Sequence, residues 1–516
     1  MSPDEPGGLG RRLVRNTLHA ASGRLVWVLA WLFLTPPILR TLGPERFGIW
    51  SLFFALTGYL VALDFGLSQA TLQHVSAALR RGDEDGAASF PTLAALVYLA
   101  LGAAWLAAML GLRGPVLEWL SVPAAARAEA GFVLVASAVV FTLCGLTNLT
   151  MAIAQGFGRF DLANRVQLAL TAQQVLGVPV VLHYGWGLRG LVVNIGLGWV
   201  LGGGLGLLMV RRAAPGFRWR SPGEAWSLRG QALRFGGPMQ VANALAMFHT
   251  QMDKFLLARF AGLAAVTPYE LGFRVAAAAG TFPQLLLLAV LPAVAALHAG
   301  EQGSRLAALY DRGNRYVLAL GGVLLAAVLA GADRLFMAWL GPGHGDGALV
   351  LRGLAVSGFV ALATGMGTST ARGIARTDLE AWFAAVVLTT HLGLSLWLLP
   401  RLGLAGAVIA IVAANLVGAV FFLWRLARAL GWSSRRLLLD PHGVPLLAVL
   451  AGGGAGWALS RGLPAASGAA EWGATFLAGG LAGAVALGLA LALRYVNFQE
   501  ARALILPRAA TGDGRS

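Results

Sequence analysis

Gln155-Gly156-Phe157-Gly158-Arg159-Phe160-Asp161-Leu162 returns 217 positions later as Arg372-Gly373-Ile374-Ala375-Arg376-Thr377-Asp378-Leu379, and both copies read G-x-x-R-x-D-L. Downstream, Gly187-Leu188-Arg189-Gly190 is echoed by Gly403-Leu404-Ala405-Gly406 at an offset of 216, and each precedes an apolar run that ends in Arg. Self-similarity at a fixed offset marks an internal duplication. Two loops that share Gly, Arg and Asp only for topological reasons are the alternative; the spacing favours duplication.

The sequence around these motifs sets the fold class. Of 516 residues, 57% are hydrophobic and only 12% are charged, against about a quarter charged in soluble domains. A helix crosses the hydrocarbon in about 20 apolar residues, and fourteen stretches qualify. Six lie near 25–42, 47–66, 90–112, 131–155, 166–183 and 190–210; six more near 236–258, 270–297, 316–336, 348–371, 379–399 and 404–424; a last pair near 443–460 and 473–493. The expected fold is all-α and membrane-embedded, with two six-helix lobes, 1–215 and 235–428, joined by a basic linker, 216–234, and followed by 429–516 with two additional helices. Equivalent points six spans apart give the lobes one orientation, the arrangement of alternating-access carriers. The 69 glycines fit this reading, since small residues let membrane helices approach closely.

The net charge of +16 is spread over short loops and not gathered into a nucleic-acid patch. With the N-terminus inside, 27 of the 39 basic residues fall on the inner side and 11 outside. Basic residues accumulate on the cytoplasmic side, so both termini are expected there. The basic stretch Arg11, Arg12, Arg15, Arg24 leads into an apolar run without a small-residue cleavage site, which reads as an uncleaved first span. One cysteine, Cys144, excludes an intramolecular disulfide. No Walker loop or metal-spaced His cluster appears, and no loop is long enough for a catalytic fold. The chain reads as a transporter without cofactor or metal, driven by an ion or cargo gradient.

Polar residues inside membrane spans are costly and so become functional candidates. In the seventh stretch Gln240, Asn243, Met247, Gln251 and Lys254 share one helix face, a stripe suited to water or cargo. The opposite side carries His249 and Asp253 at i and i+4, a structural ion pair or a site of proton coupling. Lys254 either meets cargo or snorkels to the outer interface. Arg24 at the inner mouth of the first stretch and Arg274 in the eighth would add positive potential to a central cavity, or flank spans as ordinary charges. Gln155, Asn148, Gln173 and Gln174 serve interhelical hydrogen bonds or line a cavity. Pro36-Pro37, Pro283 and Pro292 interrupt their spans and permit bends, and Asp64 is placed to cap the chain segment after it.

Leu39-Arg40-Thr41-Leu42-Gly43-Pro44-Glu45-Arg46-Phe47-Gly48-Ile49-Trp50 with Leu63-Asp64-Phe65-Gly66-Leu67-Ser68, and Asp253-Lys254-Phe255-Leu256-Leu257-Ala258-Arg259-Phe260-Ala261-Gly262 with Tyr269, Phe273-Arg274 and Pro292, resemble Wzx-type polysaccharide and O-antigen flippases. These belong to the multidrug/oligosaccharidyl-lipid/polysaccharide (MOP) superfamily. The likeness covers the first twelve helices in outline and departs at Pro268, where Gly is usual, and at Lys254, where Arg is common.

The resemblance implies two lobes around a cavity, as in MATE and MurJ, in a bacterial cytoplasmic membrane. It implies flipping of an undecaprenyl-diphosphate-linked oligosaccharide beside the polymerase and glycosyltransferases of one pathway. Arg24, Lys254 and Arg274 would then compensate the diphosphate, while Gln240, Asn243 and Gln251 line the cavity; His249 and Asp253 stay the candidates for coupling to a proton or sodium gradient, with a structural ion pair as the alternative. A MATE-type ion-coupled exporter of small cations is the alternative, and the scarcity of carboxylates within the spans counts against it.

Overall fold

The computed structural model describes residues 30–57, 66–227, 230, 248–287, 290–300, 302–464 and 468–497, which are helical apart from short turns and contain no strand. Ten helices among them are long and apolar enough to cross a membrane: Gly86–Trp119, Ala124–Gly156, Phe160–His183, Gly187–Ala213, Gly303–Leu340, Gly345–Gly373, Thr377–Leu402, Leu404–Leu430, Ser434–Gly462 and Ala469–Ala492. They contain ten of the expected stretches to within one residue. The protein is a multi-pass membrane protein. Helical residues 30–57 and 248–261, with the helices Leu263–Leu287 and Val290–Ala299, occupy the described parts of the other four stretches.

Two details differ from the sequence reading. Leu67–Arg80 is a helix of 14 residues where a loop was expected; its buried face (Leu67, Ala70, Thr71, Val75, Ala78) has helical spacing, and its polar remainder hides it from an apolar count. The helix expected from 270 starts at Leu263, because Gly262 at φ +86° ends one helix and the next begins at once. Pro36-Pro37 and Pro283 lie within helices without ending them. Asp64 lies outside the described residues.

The chain divides into two compact units, residues 1–267 and 268–516. The seventh stretch therefore groups with the first of them. In that unit the Arg127–Gly156 helix is central, packing on Glu84–Trp119, Phe160–His183, Gly187–Ala213 and Leu67–Arg80. Lipid gives no hydrophobic drive between helices, so close fit must hold them. A Cβ on Gly145 would stand 2.4 Å from the Tyr98 ring, and Tyr98, Phe141, Leu149, Ile153 and Val210 form the core there.

Of the two readings open for Gln173 and Gln174, interhelical bonding is the one realised. The Gln173 amide nitrogen donates to Asn194 Oδ1 (2.8 Å), Gln174 donates to Gln173 Oε1 (2.9 Å), and the Asn194 amide returns a bond to Gln174 Oε1 (3.1 Å). The loop of three amides closes on itself, which removes the penalty for burying them.

The duplicated motif is a duplicated turn. Arg159 Nε and Nη2 donate to the two Asp161 oxygens at 3.0 and 3.1 Å; Arg376 does the same to Asp378 at 2.8 and 3.0 Å. The Arg159 amide donates to Ala154 O and the Arg376 amide to Ala371 O, at 2.9 and 2.8 Å, which ends the preceding helix alike in both. Gly158 and Ala375 both take positive φ, +76° and +59°. Even the packing recurs: a Cβ on Gly156 would strike Val75, and one on Gly373 would strike Val294. The carboxylates hold both guanidiniums above their ordinary pKa, through the hydrogen bond first and the charge second.

In the second unit the Gly303–Leu340 helix is the hub, packing on Gly345–Gly373, Gly443–Gly462 and Ala469–Ala492. The last two helices press together on Gly452 and Gly456, whose missing side chains admit the Ala482 and Ala478 carbonyls, beside Ala326 and Ala330 of the hub. Arg334 fastens them. Its guanidinium donates to the carbonyls of Ser460 and Leu463 at the end of one helix and to Glu471 Oε1 (3.1 Å) in the first turn of the other. Carbonyls at a helix C-terminus attract cations, and the pair is 11% and 3% exposed.

Removing one partner of a buried pair strands the other charge. Arg334→Gln is expected to lower the unfolding free energy by about 3–5 kcal/mol, read as a fall in melting temperature in detergent, while the double variant Arg334→Leu, Glu471→Leu recovers most of the loss. The exposed Arg159–Asp161 pair behaves differently: Arg159→Gln should change stability by no more than about 1 kcal/mol.

Candidate functional site

A charge near the bilayer centre costs about 2.5–3.5 kcal/mol on insertion scales, so buried charges mark places where this fold gives up stability to another end. Asp253 and Lys254, neighbours in the helical residues 248–261, are 0% and 2% exposed. Successive helical residues point about 100° apart, so burying both requires protein on two sides of the helix. Each is engaged by a partner. The helix-wheel reading sets Lys254 in the polar stripe and Asp253 away from it; both are buried, as are Met252, Leu256, Leu257 and Ala258.

The other expected residues have varied settings. Gln251 is half-buried, and its Oε1 finds no hydrogen-bond partner among the described residues. His249 is half-buried and engaged. Arg24, Gln240 and Asn243 lie outside the described residues.

Arg274, in the second unit, brings a residue that the sequence reading overlooked. Its Nε donates to Glu270 Oε1 at 2.6 Å, and the side chains are 15% and 5% exposed. Glu four residues before a cation is the favourable helical order, so the spacing Glu270 to Arg274 was a usable signal. A carboxylate that close neutralises much of the positive potential expected of Arg274.

A cavity of about 280 Å³ opens in the same unit, between the Leu263–Leu287, Gly303–Leu340 and Gly345–Gly373 helices. Ala276, Gly280, Pro283, Leu325, Leu354 and Thr368 are among its walls, which are mostly apolar. Arg274 is not among them. On the helix it lies about 160° from Ala276, turned away from the hollow.

Membrane helices arranged in this way, with a repeated turn and charges sealed in the two units, bear comparison with proteins of known type. Residues 13–298 match the polysaccharide biosynthesis protein family. The chain belongs to that family. This is the kinship the Wzx-like motifs imply, and a putative O-antigen transporter of Shigella flexneri is 20% identical over 396 residues, covering 76% of this chain and 92% of that one.

Among solved structures, the lipid II flippase MurJ in an inward closed conformation has a TM-score of 0.70 at 11% identity, covering 93% of this chain and 99% of MurJ. An inward-facing MATE multidrug transporter of the MOP superfamily has 0.62 at 20%, covering 78% and 95%. The likeness to both is one of fold. The part of this family member left outside the MurJ match is too short to hold both helices of the C-terminal pair.

A double-mutant cycle tests the Glu270–Arg274 pair. Glu270→Gln alone should destabilise the protein more than Glu270→Gln with Arg274→Gln, giving a coupling energy of at least about 1 kcal/mol in unfolding measurements. Additive effects would mean the two side chains do not share a bond.

Proposed function

We propose that this protein flips an undecaprenyl-diphosphate-linked oligosaccharide from the cytoplasmic to the outer leaflet by alternating access, for polysaccharide export. The observation that carries this reading is the matched turn at Arg159–Asp161 and Arg376–Asp378: a backbone path repeated in the two units, in a family of polysaccharide biosynthesis proteins. Two equivalent halves that rock about a shared site are a common design for carriers. The name of the Shigella relative and the fold shared with MurJ point to the same cargo class.

Within that reading, Lys254 and Arg274 supply positive charge along the diphosphate's route, with Arg24 at its inner mouth. Gln240, Asn243 and Gln251 offer hydrogen bonds to sugar. Asp253 and His249 are the groups through which a proton or sodium gradient would act. Glu270 modifies the assignment for Arg274, since cargo must compete with a carboxylate already in place. The lobes 1–215 and 235–428, the linker 216–234 and the helices of 429–516 form the moving and anchoring parts, with both termini in the cytoplasm of a bacterium and the pathway's glycosyltransferases and polymerase as partners.

The test is transport by purified protein in liposomes loaded with a fluorescent undecaprenyl-diphosphate oligosaccharide, read as the fraction of sugar reached by an added glycosidase. Wild-type protein should raise the transfer rate at least tenfold over empty liposomes. Lys254→Glu should cut it by about tenfold or more, the effect of about 1.4 kcal/mol lost or greater. Export of a cationic dye driven by an ion gradient, with no movement of the sugar lipid, would establish the MATE-type reading in its place.

A further inference from the structure

A second hollow lies in the C-terminal unit, between Arg315–Tyr316 of the Gly303–Leu340 helix and the segment where the Ala469–Ala492 helix stops. Its volume is about 500 Å³, and Arg315, Tyr316, Arg494, Tyr495, Val496 and Asn497 line it with Leu491. Unlike the hollow beside Ala276, most of its wall is polar.

The chain is placed there with care. Arg494 adopts φ +54° without being glycine, and the turn is secured by its amide on Leu491 O and the Tyr495 amide on Ala490 O, both 2.9 Å. The Tyr495 hydroxyl donates to Pro441 O (2.6 Å) and the Tyr316 hydroxyl to Asn497 O (3.2 Å). Two separate segments therefore line the hollow, and a third, at Pro441, holds Tyr495 in place. Burial raises the Tyr495 phenol, and the positive charge of Arg315 opposes that rise.

The charges around the hollow are unevenly matched. Arg436 is paired with Asp311 at 2.6 Å and Arg435 with Asp440 at 3.2 Å. Those pairs use the nearby carboxylates. Arg315 and Arg494 have no carboxylate partner among the described residues, and Arg315 makes only a long bond to Asp311 O, 3.4 Å. Both tyrosine hydroxyls give their protons to carbonyls, so the guanidiniums are the charged donors of the lining. Two guanidiniums with no counter-ion among the described residues, at the end of a membrane helix, form the chemistry that takes phosphate at the level of lipid head groups.

We propose that Arg315 and Arg494 form a binding site for a phosphate group, supplied by the head group of an anionic phospholipid held between the Gly303–Leu340 and Ala469–Ala492 helices. The site uses none of the residues proposed for the cargo route and does not depend on that proposal. A lipid held there would tie the last helix to the hub at one end, as Arg334 ties it at the other.

Native mass spectrometry of the full chain released from nanodiscs tests this. With phosphatidylglycerol, one retained lipid per protein is expected; with phosphatidylcholine, none. Arg315→Gln with Arg494→Gln should weaken phosphatidylglycerol retention roughly 30-fold, and Arg494→Gln alone, at an exposed position, roughly 5-fold. Arg435→Gln, a paired arginine of the same surface, should leave it unchanged. Lysine at both positions should restore part of the binding. If millimolar inorganic phosphate binds wild type but not the double variant and no lipid is retained, the phosphate comes from solution. Equal retention by wild type and double variant, or an equal loss in Arg435→Gln, overturns the site.

Discussion

A guanidinium or carboxylate carried into hydrocarbon must meet its complement inside the protein, and the arrangement of this chain reflects how that demand is met. Arg334 is answered by two carbonyls and Glu471, Arg274 by Glu270, and Arg352 by Asp333. Each answer links or stiffens particular helices. Many of the remaining helix contacts are apolar, and apolar contacts in lipid resist sliding weakly. Register in the second unit thus depends on a few charges, each placed where an apolar residue of similar volume would have been less costly.

Much of this was legible in the residues. Apolar runs of membrane-spanning length located ten helices, since a span is set by hydrocarbon thickness and needs no knowledge of partners. The repeat was legible for a different reason. Gly156, Arg159 and Asp161 are all needed in one turn: the first admits a neighbouring valine, and the other two pair guanidinium to carboxylate. A turn that needs all three keeps all three, and the string survives while the helices around it change.

Other features lie outside a count of apolar runs. The Leu67–Arg80 helix is polar on one side, so helical periodicity and not hydropathy marks it. Glu270 stands at helical spacing from Arg274, a signal carried by the pair and not by either charge alone. Arg334 could not be read at all, for its partners lie 126 to 137 residues downstream. Pairings at that distance are properties of the packed state, and a single sequence carries no record of them.

That distance has a consequence for how the protein is made. Asp333 finds Arg352 after 19 residues, within the next helix to emerge. Arg334 must wait for Glu471. At elongation rates of about 5–20 residues per second, the ribosome takes roughly 7 to 27 s to deliver it. Over that interval a nascent chain holds an unmatched cation in or beside the insertion machinery, where water, lipid phosphate or the machinery itself must stand in. The last two helices are then a delayed closure, and their arrival releases the chain from its custodian.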